Sequence, residues 1–73
     1  MYPLTMMEQG KARVLHITGN DKARIRLEDL GFVPGQEIRV LQRIKGNMII
    51  KINDSRIALD ESSAVHILIE EEK

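Results

Sequence analysis

The sequence predicts a mainly β domain: a small barrel of about five short strands, with one short α-helix between the first strand and the second. Three observations carry this expectation. From Glu37 to Glu70, aliphatic residues alternate with polar ones in short runs separated by turn residues, the period of strands that bury one face. Only Asn20 to Leu30 spaces its apolar residues as a helix does. Hydrophobic residues form 42% of the chain, yet Tyr2 and Phe32 are its only aromatics. The core must then come from Ile, Leu, Val and Met, and β-branched side chains pack well on a pleated surface.

Along the chain, Met1 to Gly10 reads as an irregular lead-in whose Leu4 and Met7 tuck under the barrel before Gly10 turns the backbone. Lys11 to Ile17 is a strand with Ala12 and Val14 on one face. Ile17 falls out of that alternation, so either a bulge near Leu15-His16 restores it or Ile17 points elsewhere. Thr18-Gly19-Asn20 is a turn. Asn20 or Asp21 can cap the helix that follows. Ala23, Leu27 and Leu30 make its apolar stripe, and Arg24 and Glu28 sit four apart on its exposed face. Gly31 is placed to be the left-handed residue after the helix, with Phe32 returning against Leu27. Val33-Pro34-Gly35 is a tight turn, since proline fixes φ at one central position and glycine accepts positive φ at the next.

Glu37 to Ile44 then alternates, with Ile38 and Val40 on one face and Arg39, Leu41 and Arg43 on the other. Lys45-Gly46-Asn47 is a hairpin turn, and Met48, Ile50 and Ile52 alternate after it. Asn53-Asp54-Ser55 turns the chain again, before a short strand Arg56 to Leu59 with Ile57 and Leu59 inward. Asp60 to Ser63 reads as a single helical turn capped by Asp60. Ala64 to Glu70 is the last strand, with Val65, Ile67 and Ile69 on one face, and Glu70 to Lys73 reads as a frayed acidic tail. Short strands with no room for a second layer are expected to close on themselves, which removes exposed edges.

Composition narrows the function. A chain of 73 residues is one domain, residues 1–73. It contains no cysteine, which excludes disulfides and thiolate metal sites. Eleven basic residues balance eleven acidic ones. A nucleic-acid partner is disfavoured, because phosphate neutralisation needs a basic excess and base stacking needs aromatics. No apolar run nears the ~18 residues of a membrane span, and Met1 to Gly10 has neither the basic residue nor the apolar core of a signal peptide. The expectation is a soluble, cytoplasmic chain without direct membrane insertion.

The segment Leu27-Glu28-Asp29-Leu30-Gly31-Phe32-Val33-Pro34-Gly35 resembles the L-x-x-L-G-[FLI]-x-P-G signature of FeoA domains. Ile57-Ala58-Leu59 followed by Ala64-Val65-His66-Ile67 is similar to the family's I-A-L and A-x-x-I pair, and Leu4, Met7 and Gly10 match its leading segment. The resemblance runs from about Leu4 to Ile69. It departs at Asn47-Met48, where the family often has proline-leucine, and at Asp60, where arginine is common. The resemblance implies an SH3-like barrel that works as a cytoplasmic accessory or regulatory partner of FeoB, a membrane ferrous iron transporter with a cytoplasmic G-protein domain. That partner would bring it to the inner face of the membrane. The same domain also ends iron-dependent repressors of the DtxR type, so a regulatory domain linked to such a repressor is the alternative.

The residues themselves offer little catalytic chemistry. Cysteine nucleophiles, phosphate-binding glycine loops and a G-x-S-x-G arrangement are all lacking. Ser55, Ser62 and Ser63 fall in expected turns, where hydroxyls bond local backbone. An enzyme and a cofactor are therefore not expected. His16 and His66 are the only imidazoles, and with Glu70 they are the one candidate for a weak transition-metal position. Unligated surface histidine is the simpler reading. Leu27, Leu30, Gly31, Phe32, Pro34 and Gly35 each have a sufficient structural reason and are taken as fold determinants. The candidate partner surface consists of outward aliphatics, Leu15, Ile25, Leu41 and Leu68 together with Ile49. Arg24, Arg26, Arg39 and Arg43 would be its polar rim. Self-association is left open.

Overall fold

Five of the six strands correspond to runs of alternation in the sequence, the last of them starting later than expected. The computed structural model describes residues 1–72. Its elements are β1 (Tyr2–Pro3), a 3₁₀ turn (Leu4–Met6), β2 (Gly10–Ile17), α1 (Asp21–Asp29), β3 (Glu37–Ile44), β4 (Asn47–Ile52), β5 (Ser55–Asp60), α2 (Glu61–Ala64) and β6 (Ile67–Glu71). All pairings are antiparallel, in the order β1-β6-β2-β3-β4-β5. Among the described residues no ladder joins β1 to β5. The short helix α2 lies between the two ends of the sheet instead, close to β4, β5 and the 3₁₀ turn.

Turn chemistry sets the register. Lys45 and Gly46 both take positive φ, so the β3–β4 hairpin closes in two residues with Ile44 opposite Asn47. Asn53, also at positive φ, helps close β4 onto β5 with Ile52 opposite Ser55. Of the two alternatives at Ile17, the bulge near Leu15-His16 is the one present: the β2–β6 register shifts between Val14 and His16, and Ile17 returns to the buried face. A second shift, between Val40 and Gln42, interrupts β3 at Leu41.

The helix begins and ends as its sequence dictates. The Asn20 side chain accepts from the Ala23 N–H at 2.9 Å, so Asn20 and not Asp21 is the cap. At the other end Phe32 N–H donates to the Leu27 carbonyl at 3.1 Å and Gly31 N–H to the Glu28 carbonyl at 3.0 Å. These are the two bonds of a Schellman ending around Gly31, whose φ is 108°. The reversal returns Phe32 to the core, where it and Leu27 are both buried. Gln36 N–H then donates to the Val33 carbonyl at 3.0 Å across Pro34-Gly35.

The core is entirely apolar. It comprises Leu4, Met7, Ala12, Val14, Ile17, Leu27, Phe32, Ile38, Val40, Met48, Ile50, Ile52, Leu59, Ala64, Ile67 and Ile69, with Tyr2 and Ile57 packed on it. No polar residue is buried among the described residues.

Four details differ from expectation. Tyr2–Pro3 forms a sixth strand on β6, which the proline at position 3 concealed, although an edge position tolerates it. Leu30 leaves the helix stripe and is 39% exposed: it is the C-cap residue at which the chain reverses, and Phe32 is buried with Leu27 in its stead. Arg24 pairs with Asp21 at 2.8 Å, not with Glu28. Val65 closes α2 and is exposed, so the last strand begins at Ile67 and runs through Glu70 and Glu71, residues expected to fray. Lys73, the end of that expected tail, lies outside the described residues.

Candidate functional site

Which side chains share a surface follows from the register, since directly paired residues of antiparallel strands point to the same side. The bulge at Leu41 divides the expected rim. Arg39 pairs with Lys51 on the outer face, whereas Arg43 pairs with the buried Met48 on the core side. From there Arg43 reaches Glu61 at 2.9 Å and Glu8 at 3.6 Å, tying the β3 tip to α2 and the leading segment. Arg43 is thus separated from Arg39, and its charge is used within the molecule. Leu41 itself is half-buried.

The expected outward aliphatics fall into separate places. Leu15 is the bulged residue of β2, beside the half-buried Leu68, which pairs with His16. Leu41 and Ile49 stand at the opposite end of the β2–β3 pairing, where Ile49 pairs with Gln42. Ile25, 52% exposed, projects from α1. Arg24 lies on the same helix, its guanidinium held by Asp21, which raises its pKa by hydrogen bond and by charge.

The histidines occupy different settings. His16 is an exposed strand residue. His66 follows α2, with its ring 3.4 Å from Thr18 Oγ1 and packed where Gly19 has no side chain. Thr18 N–H also donates to the His66 carbonyl at 2.8 Å. Glu70 pairs with Arg13. Among the described residues, no three His, Asp or Glu side chains are grouped to hold a metal ion.

The sequence did not reveal a row of like charges. Lys11 pairs with Arg39, Arg39 with Lys51, and Lys51 with Arg56, which sets four cations side by side across β2, β3, β4 and β5. An open concavity of about 280 Å³ adjoins the row, lined by Lys11, Gln36, Glu37, Ile38, Arg39, Lys51 and Asn53. Each of these lysines and arginines reads as outward in the sequence, but nothing short of the register aligns them. Lys11 has Glu37 at 3.6 Å, and the next cation along β2, Arg13, has Glu72 at 2.8 Å.

Comparison with known proteins identifies the architecture. The FeoA domain family matches residues 2–71. A crystal structure of an iron uptake regulatory protein (FeoA) superposes with a TM-score of 0.89 at 32% identity, covering 97% of this chain and 96% of that one. An FeoA-like protein from Clostridium acetobutylicum gives 0.87 at 26% identity, over 96% and 85% of the two chains. The ScaR structure with bound Cd2+ gives 0.89 at 20% identity, with this chain spanning 97% of its own length but 36% of that protein. The last likeness establishes the fold alone, and with the others it marks the six-stranded sheet as SH3-like. Among curated proteins no sequence matches.

Proposed function

The chain belongs to the FeoA domain family, and on that premise we propose that it is a non-enzymatic accessory protein of ferrous iron uptake, acting by docking on the cytoplasmic part of an FeoB-type transporter. The observation that carries this reading is the near end-to-end likeness to an iron uptake regulatory protein, at 32% identity over 96% of that chain. The structure is compatible with such a role. The buried residues are all apolar, so the charged and polar groups lie at the surface, where a partner can meet them. No helix among the described residues is long and apolar enough to cross a membrane, so a place at the membrane would come through the partner. The test is a pull-down of the purified chain with the transporter's cytoplasmic part, without nucleotide, with GDP and with a non-hydrolysable GTP analogue. Retention in at least one state is expected; failure in all three removes the reading.

A second reading draws on the likeness to ScaR and to the manganese regulator SloR, in which a domain of this fold accounts for about a third of the protein. Here the chain would serve a metal-dependent repressor. A gene neighbourhood holding a lone helix-turn-helix regulator and no transporter would favour it.

A further inference from the structure

We propose that the cationic row Arg39-Lys51-Arg56, with the concavity beside it, is the docking face for an acidic, extended segment of a protein partner. The inference rests on the docking reading above and gives the partner its chemistry.

Like charges directly opposite one another across a sheet are destabilising. This chain nevertheless places four in sequence on adjacent strands. Strand cations elsewhere in the fold are compensated: Lys11 by Glu37, Arg13 by Glu72, and Arg43 by Glu8 and Glu61. Among the described residues Arg39, Lys51 and Arg56 have no carboxylate within ion-pair distance, although the chain holds eleven acidic residues. All three are exposed. Neighbouring strands lie about 4.8 Å apart, so the three cations span roughly 10 Å. Alternate side chains of an extended peptide repeat every ~7 Å, so a segment crossing the strands can set two carboxylates over the row.

The surroundings favour a polypeptide over other anions. Glu37 lines the concavity and repels a small dense anion such as phosphate, while a peptide can place its carboxylates beyond it. The amide side chains of Gln36 and Asn53 line the same hollow and suit a peptide backbone. A flat lipid surface has nothing to enter the hollow. Nucleic acid is disfavoured by a net charge of zero.

The test is a chemical-shift titration of the isotopically labelled full chain with acetyl-Glu-Val-Glu-Val-Glu-amide. The same peptide with lysine for glutamate, sodium phosphate, and phosphatidylglycerol vesicles serve as separate controls. Amide shifts confined to the segments around Lys11, Arg39 and Lys51 to Arg56 are expected, fading as salt rises. The double variant K51E/R56E is expected to weaken the acidic peptide by about tenfold or more, and Lys22→Glu on α1 to leave it unchanged. Lys51→Glu alone relieves the repulsion with Arg39 and Arg56, so its melting temperature should equal or exceed that of the parent while its affinity for the acidic peptide falls, which separates lost binding from lost folding. No shifts, equal shifts with the lysine peptide, or a stronger response to phosphate or vesicles would overturn the proposal. Equal retention of parent and K51E/R56E chains by the transporter would also overturn it, while leaving the docking reading intact. Peptide binding at the row with no transporter binding would uphold the acidic preference and remove the transporter as its owner.

Discussion

Tyr2 joins the two ends of the chain through one hydrogen bond: its phenol donates to Glu71 Oε2 at 2.7 Å. That bond first, then partial desolvation and the Glu71 charge, raise the phenol above its ordinary value. A group whose folded pKa is raised contributes stability in full below its unfolded pKa, near 10, and loses it as pH climbs through the folded value. Tyr2 is the only tyrosine and tryptophan is absent, so phenolate absorbance reports this site alone. We expect a titration midpoint above that of free tyrosine, and Glu71→Ala to lower it; an unchanged midpoint would deny the contact. At this scale the sequence was readable where one face decides burial. Ile57 and Leu59 pack as the alternation implied, and Leu4 and Met7 tuck in from the irregular lead-in as expected. It was unreadable where a neighbour distant in sequence decides. Leu30 fits the helix stripe yet lies exposed at the C-cap while Phe32 is buried after the reversal, and Arg24 had two acidic neighbours within helical reach and took the nearer in sequence.

Between elements, the information lies in turns and bulges. Gly31 both stops α1 and lies against β4: a Cβ there would stand 3.3 Å from Ile52 Cγ2. Gly35 also has positive φ, but a Cβ on it would meet nothing within 4 Å. Gly31→Ala is therefore expected to cost about 1–3 kcal/mol, or roughly 5–15 °C of melting temperature in a domain this small, and Gly35→Ala less. Thermal unfolding of both variants checks the difference; equal losses would mean that the approach to Ile52 contributes nothing. The bulge at Leu41 was implicit in the pattern. A two-residue hairpin closing on Ile44 and Asn47 would set outward Arg39 opposite inward Ile52. Only an extra residue in β3 reconciles that closure with the buried sets Ile38-Val40 and Met48-Ile50-Ile52. The same shift swings Arg43 to the core side and sets Arg39 against Lys51, so the cationic row depends on a bulge that simple alternation leaves out. In β2 the break in pattern at Ile17 was visible, and of the two readings it left open, a bulge or an Ile17 pointing elsewhere, the structure has the bulge. The short final helix was legible through its cap: the Asp60 side chain accepts from Ser63 N–H at 3.2 Å.

For the molecule as a whole, stability rests on a core of sixteen side chains with a single aromatic. Two of these, Leu4 and Met7, come from the irregular lead-in. Loss of one large core side chain costs about 2–5 kcal/mol, while a small domain holds only about 5–15 kcal/mol in total. Removal of residues 1–7 is therefore expected to leave the chain largely unfolded at 25 °C, checked by the dispersion of its amide NMR spectrum; a well-dispersed spectrum would show that β2 to β6 suffice. The β3-β4-β5 meander needs only two short turns, so those three strands can pair from local sequence. Strand β6 lies between β1 and β2, which begin at Tyr2 and Gly10. Among the described residues, Tyr2 and Pro3 thus pair with no strand but β6, whereas β2 already has β3 beside it. Until residues 67–71 have been made, Tyr2 and Pro3 have no ladder to join and one edge of β2 stays unpaired, open to chaperones.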